Sequence, residues 1–174
     1  MSPTAASTST TTPTQKQLWV IRHAKTANPP GTRDYDRPLT ERGYRDARLI
    51  TAALARHART PKLLVTSAAL RARTTAELLG HGLGIDIVTR EALYGASVET
   101  LLDTVQSLPE DTECVGIVAH NPGISYLAAA LADGGNVEPL PTLGTVGLAF
   151  TGTWIEAGFG RFTLNARLIP KSLR

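Results

Sequence analysis

Two histidines and two arginines stand where they could meet. Arg22-His23 follows directly on the apolar run Leu18-Trp19-Val20-Ile21, and His120-Asn121 follows on Val115-Gly116-Ile117-Val118-Ala119. A third apolar run, Leu63-Leu64-Val65, leads into Thr66 and Ser67, with Arg71 one helical turn further on. In open α/β sheets ligands bind beyond the carboxyl ends of the strands. If the three runs are neighbouring parallel strands, these side chains share one edge. The chemistry of such a cluster is phosphoryl transfer. A neutral imidazole is a good nucleophile near pH 7, its ordinary pKa being about 6.5. Arginine forks grip the equatorial oxygens of a phosphoryl group and stabilise the charge spread over them. One histidine attacking in line with the leaving group would form a covalent phosphohistidine, and a second, when protonated, would donate a hydrogen bond to phosphate. Taken singly, each residue has a plainer reading: a histidine at a strand end is commonly a loop or core residue, and an arginine a solvated charge.

The elements needed to position these residues follow in regular alternation. Strands are expected at Leu18–Ile21, Leu63–Thr66, Ile85–Val88 and Val115–Ala119, with two closing strands at 146–150 and 161–168. A loop rich in Pro, Gly and Asp covers 28–38. Thr40 has the chemistry of a helix N-cap, with Glu41 in the first turn, for a helix running to about His57. Further helices are expected at roughly 68–80, stopped by the run GHGLG, at 97–107, stopped by Pro109, and from Gly123 to about Ala132. Short continuous apolar strands between amphipathic helices indicate an α/β fold, a three-layer α/β/α sandwich with a mixed, mostly parallel central sheet. Residues 1–16, rich in Ser, Thr, Pro and Ala, cannot bury enough surface to offset their ordering entropy and read as a disordered tail. Residues 17–174 then form a single domain, as the length of 174 residues allows.

Composition narrows the function further. Charged residues make up 19% and hydrophobic residues 42%, the balance of an ordinary globule. No run of about 18 apolar residues is present to span a membrane. The formal net charge of +3 comes without a Lys/Arg block, and aromatic residues are not interleaved with basic ones, which argues against a nucleic-acid platform. One cysteine, Cys114, precludes an internal disulfide and fits a reducing cytoplasm. Neither GxxxxGK[ST] nor a GxGxxG following a strand is present. His57 and His81 sit at helix ends, where the helix dipole favours them. Trp154 and Phe159 are assigned to the closing strands as packing residues.

Four motifs and one further short segment carry a resemblance. IRHAKTA resembles the Arg-His-Gly signature of the histidine phosphatase superfamily. TSAALRARTTAELL resembles that family's Ser-Pro-Leu-x-Arg-Ala-x-Gln-Thr-Ala motif, with Ser67, Arg71, Ala72, Thr75 and Ala76 in register. VGIVAHNPGI resembles the segment holding the family's second histidine. DYDRPLTERGYRDA, with Arg37-Pro38-Leu39-Thr40 and Gly43, and ALYGAS are similar to the small SixA-type phosphohistidine phosphatases. The similarity runs from about residue 18 to 132.

The resemblance implies that His23 is the nucleophile and that Arg22, Arg71 and His120 bind the phosphoryl group, with no metal or cofactor required. Thr26 and Asn28, in the loop after the signature, are candidate substrate contacts. Two departures stand out. Ala24 replaces the family glycine, which matters only if that position needs a positive φ, and Ala68 replaces a proline at a helix start. Members acting on alcohol leaving groups use a glutamate as general acid, and Glu91, four residues before Gly95, has similar spacing. The short branch lacks such an acid, and imidazole leaves phosphorus more easily than an alkoxide does. The expected activity is removal of a phosphoryl group from phosphohistidine in a protein. The alternatives are a phosphatase of small phosphate monoesters, for which Glu91 would be essential, and a non-catalytic phosphate-binding module, for which Ala24 is the sole support.

Overall fold

The computed structural model describes residues 13–174. Six strands form one mixed sheet: β1 Gln15–Arg22, β2 Leu63–Ser67, β3 Asp86–Arg90, β4 Cys114–Ala119, β5 Thr145–Thr151 and β6 Thr163–Leu168. Their spatial order is β3-β2-β4-β1-β5-β6. The first four positions in that order are parallel, while β5 runs antiparallel to β1 and β6 antiparallel to β5. Four helices connect them: α1 Glu41–Ala55, α2 Leu70–Leu83, α3 Val98–Gln106 and α4 Gly123–Leu131.

The pleat explains the three layers. Along β1, Leu18 and Val20 join the apolar cluster with Leu101, Val105, Ile124 and Leu127 of α3 and α4. Trp19 and Ile21 join the cluster with Ile50, Leu54, Ala72 and Leu79 of α1 and α2. Successive side chains thus reach opposite faces, and β1, covered on both, reads as an unbroken apolar run. Each large side chain so buried contributes about 1.5–3 kcal/mol.

The expected α/β sandwich is therefore what forms, with several shifted ends. β1 begins at Gln15, so Gln15 and Lys16 are strand residues rather than tail. Lys16 is buried there, its Nζ donating to Glu110 O at 2.7 Å. Of the rest of the tail assignment, Pro13 and Thr14 are exposed, with Thr14 O accepting from Gly152 N at 3.1 Å, and residues 1–12 lie outside the described residues. α2 starts two residues later than expected and continues through Gly80 and Gly82. A Cβ on Gly80 would lie 2.8 Å from the Ile87 side chain, so the glycine serves the close approach of α2 to β3. The helix stops at Gly84, whose φ of 67° is the left-handed cap. Trp154 and Phe159 lie between β5 and β6 rather than in them. Trp154 is fully buried in a 3₁₀ turn, and Phe159 is exposed. Thr40 caps α1 as its type predicts, accepting from Gly43 N at 3.1 Å.

Candidate active site

The site lies at the carboxyl ends of β2, β4 and β1, the three central strands. Arg22 and Ala119 are register partners, so His23 and His120 leave their strands at the same level. Their ring centroids are 5.2 Å apart. The backbone fixes His23 from both sides: its amide donates to Ala119 O at 3.1 Å and its carbonyl accepts from Leu143 N at 3.0 Å. Leu143 has φ 58° and is alone in this among the described non-glycine residues. Such a left-handed conformation is costly for a leucine and is tolerated where surrounding packing enforces it. Ala24 N donates to Thr75 Oγ1 at 3.0 Å, and that hydroxyl donates to Arg71 O at 2.7 Å. The turn after β1 is thereby tied to α2, which carries Arg71.

Hydrogen bonding sets which ring nitrogen of His23 is free. His23 Nδ1 lies 2.8 Å from Ala24 O, a carbonyl that can only accept. Nδ1 therefore carries the hydrogen, and the Nε2 lone pair is left for nucleophilic use. Burial pushes the His23 pKa down to about 3, with repulsion from His120, Arg71 and Arg22 acting the same way against the bond to Ala24. Burial, then Arg71, lowers His120 to about 4. Both rings are neutral at pH 7.

The two arginines differ. Arg22 donates from one terminal nitrogen to Leu140 O at 3.1 Å, and burial lowers its pKa from the ordinary value. Both terminal nitrogens of Arg71 are taken by one residue, Asp34: the backbone oxygen at 2.6 Å and Oδ2 at 3.0 Å. Asp34 also accepts from Tyr94 Oη at 2.7 Å and pairs with Arg37 at 3.3 Å. The Tyr94 hydroxyl first, then Arg71 and Arg37, hold its carboxyl down at about 2. Three buried side-chain nitrogens at the site have no protein partner: Arg22 Nε, Arg71 Nε and His120 Nδ1. Arginine Nε always carries a hydrogen, so two of these are buried donors without acceptors, an uncommon arrangement that suits the cleft to an anion.

The cleft, about 520 Å³, is lined by Arg22, His23, Arg71 and His120 together with Lys25, Thr26, Asp34, Arg37, Tyr94 and Asn121 among others. All four residues expected from the sequence are thus brought together. Thr26 also lines it, accepting from Arg37 through its hydroxyl. Asn28 is exposed and outside the lining. Glu91 is outside as well, its two carboxylate oxygens accepting from Tyr35 Oη at 2.9 and 3.0 Å. Ala24 has no positive φ and its methyl is buried in the core beneath the site, so the missing glycine costs the backbone nothing. Asp34 and Tyr94 were not singled out from the sequence, although they lie in the segments DYDRPLT and ALYGAS. The signal available was electrostatic: a buried Arg71 needs a carboxylate. No group of three or more His, Cys, Asp and Glu side chains placed to hold a metal occurs among the described residues.

Comparison with known proteins places this arrangement. Residues 18–99 match the histidine phosphatase superfamily (branch 1). An uncharacterized protein of Mycobacterium tuberculosis strain H37Rv is 33% identical, over 87% of this chain and 100% of its own. The structure of a candidate phosphohistidine phosphatase SixA from Agrobacterium tumefaciens superposes with a TM-score of 0.77 at 30% identity, covering 89% of this chain and 98% of that one. A structure of the protein histidine phosphatase SixA complexed with tungstate gives 0.79 at 25% identity, covering 91% and 99%. With its two histidines and two arginines at the shared strand ends, this chain belongs to the histidine phosphatase superfamily and is a phosphatase of the SixA type.

Proposed function

We propose that the chain removes the phosphoryl group from phosphohistidine borne by a protein, with His23 as nucleophile and Arg22, Arg71 and His120 as phosphoryl ligands. The observation that carries this reading is the His23 Nε2 lone pair in a cleft with three buried, unpartnered nitrogens, two of them arginine N–H donors. Nε2 attacks phosphorus, and the P–N bond to the substrate imidazole breaks. The leaving ring takes its electron pair and, from solvent, a proton. Water then attacks the phosphorus on His23, releasing inorganic phosphate and restoring the lone pair. Arg22 and Arg71 hold the equatorial oxygens through both steps.

The choice of substrate rests on what the cleft offers as an acid. Its one lining carboxylate, Asp34, is held ionised and cannot protonate a leaving group at pH 7. Glu91 hydrogen-bonds Tyr35 instead of lining the cleft. An alkoxide leaving group would go unassisted, whereas imidazole needs little help. The rim residues Lys25, Tyr94 and Gly95 are exposed, which leaves room for a side chain presented by another protein. The SixA relative's complex with tungstate, a phosphate-shaped oxyanion, supports an oxyanion ligand for this chain.

Paired turnover assays with a phosphohistidine protein and an alkyl phosphate such as glycerol phosphate test this, alongside His23→Asn checked for folding by circular dichroism. The phosphohistidine substrate should be preferred by about 100-fold or more in kcat/KM, and His23→Asn should lose about a thousandfold or more. Turnover that survives in His23→Asn would sink the mechanism. Equal rates on the two substrates would move the reading to monoesters.

A further inference from the structure

The hydroxyl of Ser67 has a single acceptor. Ser67 ends β2 and is fully buried. Its Oγ accepts from Ala69 N at 3.3 Å at the entry to α2. The other contact of that oxygen is His120 Nε2, at 2.7 Å. A buried hydroxyl hydrogen must go to an acceptor, and Nε2 is the one within reach. Nε2 then bears a lone pair, and a neutral imidazole with a lone pair at Nε2 carries its hydrogen at Nδ1. His120 Nδ1 is buried without a protein partner, on a ring that is 9% exposed and lines the cleft. Burial and the neighbouring Arg71 keep that ring neutral at pH 7.

We propose that Ser67 is a positioning residue that fixes the tautomer of His120, donating to Nε2 so that the neutral ring presents Nδ1–H to the phosphoryl oxygens. The two histidines then share one tautomer but offer opposite ends to the cleft. His23 spends Nδ1–H on the Ala24 carbonyl and presents a lone pair; His120 receives a hydrogen at Nε2 and presents a donor. One ring attacks and the other stabilises, with no charge placed on either before reaction. The phosphoryl half of the inference rests on the phosphatase reading; the tautomer does not.

Nitrogen NMR of the full chain labelled with ¹⁵N-histidine tests it without any turnover. The expected result is an Nδ1–H signature for His120 in the wild type and a shift toward the Nε2–H form in Ser67→Ala. The dissociation constant for inorganic phosphate should rise about tenfold in that variant, the scale of one hydrogen bond to a charged group. An Nε2–H tautomer in the wild type overturns the proposal by itself, even if Ser67→Ala fails to fold. So does a folded Ser67→Ala with unchanged tautomer and phosphate affinity. Phosphate binding and the tautomer as expected, with no turnover of phosphohistidine, would instead count against the proposed substrate alone.

Discussion

The cleft has two halves built in different ways. The inner half, His23, His120, Arg22 and Ser67, is set by strand register and backbone hydrogen bonds at the carboxyl ends of β1, β2 and β4. The outer half, Asp34, Tyr35, Arg37, Glu91 and Tyr94, hangs on side-chain bonds between two loops: Tyr94 to Asp34, Tyr35 to Glu91, and a T-shaped contact between the tyrosine rings at 5.0 Å. A ladder position is held by many cooperating bonds, whereas an exposed polar clasp is made of bonds individually worth little in water. The reacting groups therefore sit where geometry is rigid. The groups that govern access sit where single substitutions change binding without unfolding the protein.

The largest test of the inner half is pH. Protonating His23 removes the proposed nucleophile, and an imidazole of ordinary pKa would lose activity below about pH 6.5. With His23 near 3, kcat/KM should hold as pH falls through 6 and 5, after correction for the substrate's own ionisation near about pH 6. It should be halved at about pH 3 and drop about tenfold per unit only below that. Stability behaves differently. Both histidines have folded pKa values below the unfolded one, so the unfolded chain binds more protons from pH 6.5 downward. Their contribution is complete above that pH and is lost as pH falls toward 3–4. Urea midpoints should therefore fall over a range where activity per folded molecule stays level, and fall less in His23→Asn. An activity limb at pH 6.5 would show that the inner half is wetter than its burial implies.

The same division decides what the sequence made legible. An apolar run followed by a polar residue places that residue at a sheet edge by local pattern alone, which is why His23, His120, Arg22, Ser67 and Arg71 could be collected before any fold was known. Sheet order, by contrast, needs crossovers that no local pattern encodes. So does the clasp: Asp34 and Tyr94 are 60 residues apart, and their bond exists because the loops after β1 and β3 converge over α2. Glu91 shows how little spacing alone decides. Its distance from Gly95 in sequence fits a general acid, but it opens a 3₁₀ turn and is bound by Tyr35.

An intermediate effect is expected at Asp34. Its backbone oxygen and carboxylate occupy both terminal nitrogens of Arg71, so an entering phosphoryl group competes with an anion already tethered in the site. Asp34→Asn removes the charge while keeping an acceptor for Tyr94. Inorganic phosphate should then inhibit at about tenfold lower concentration, since a charge-assisted pair is replaced by a neutral one. Tyr94→Phe, which leaves the carboxylate in place, should move the constant in the same direction by less. Weaker phosphate binding in Asp34→Asn would instead make Asp34 a support that orients Arg71, and the outer half would join the rigid one.

The smallest effect belongs to Glu91. Glu91→Gln keeps an oxygen that can accept from Tyr35 and alters a carboxylate that is exposed and outside the cleft lining. Surface changes of this kind stay within about 0.5 kcal/mol, a factor of roughly two. kcat/KM should hold within about twofold on both the phosphohistidine protein and an alkyl phosphate such as glycerol phosphate. The two substrates make the measurement diagnostic, because an alkoxide-like leaving group depends on acid help more steeply than imidazole does. If the variant loses about tenfold or more on the monoester alone, Tyr35 must release Glu91 into the cleft during turnover. The outer clasp would then be part of the chemistry rather than of access.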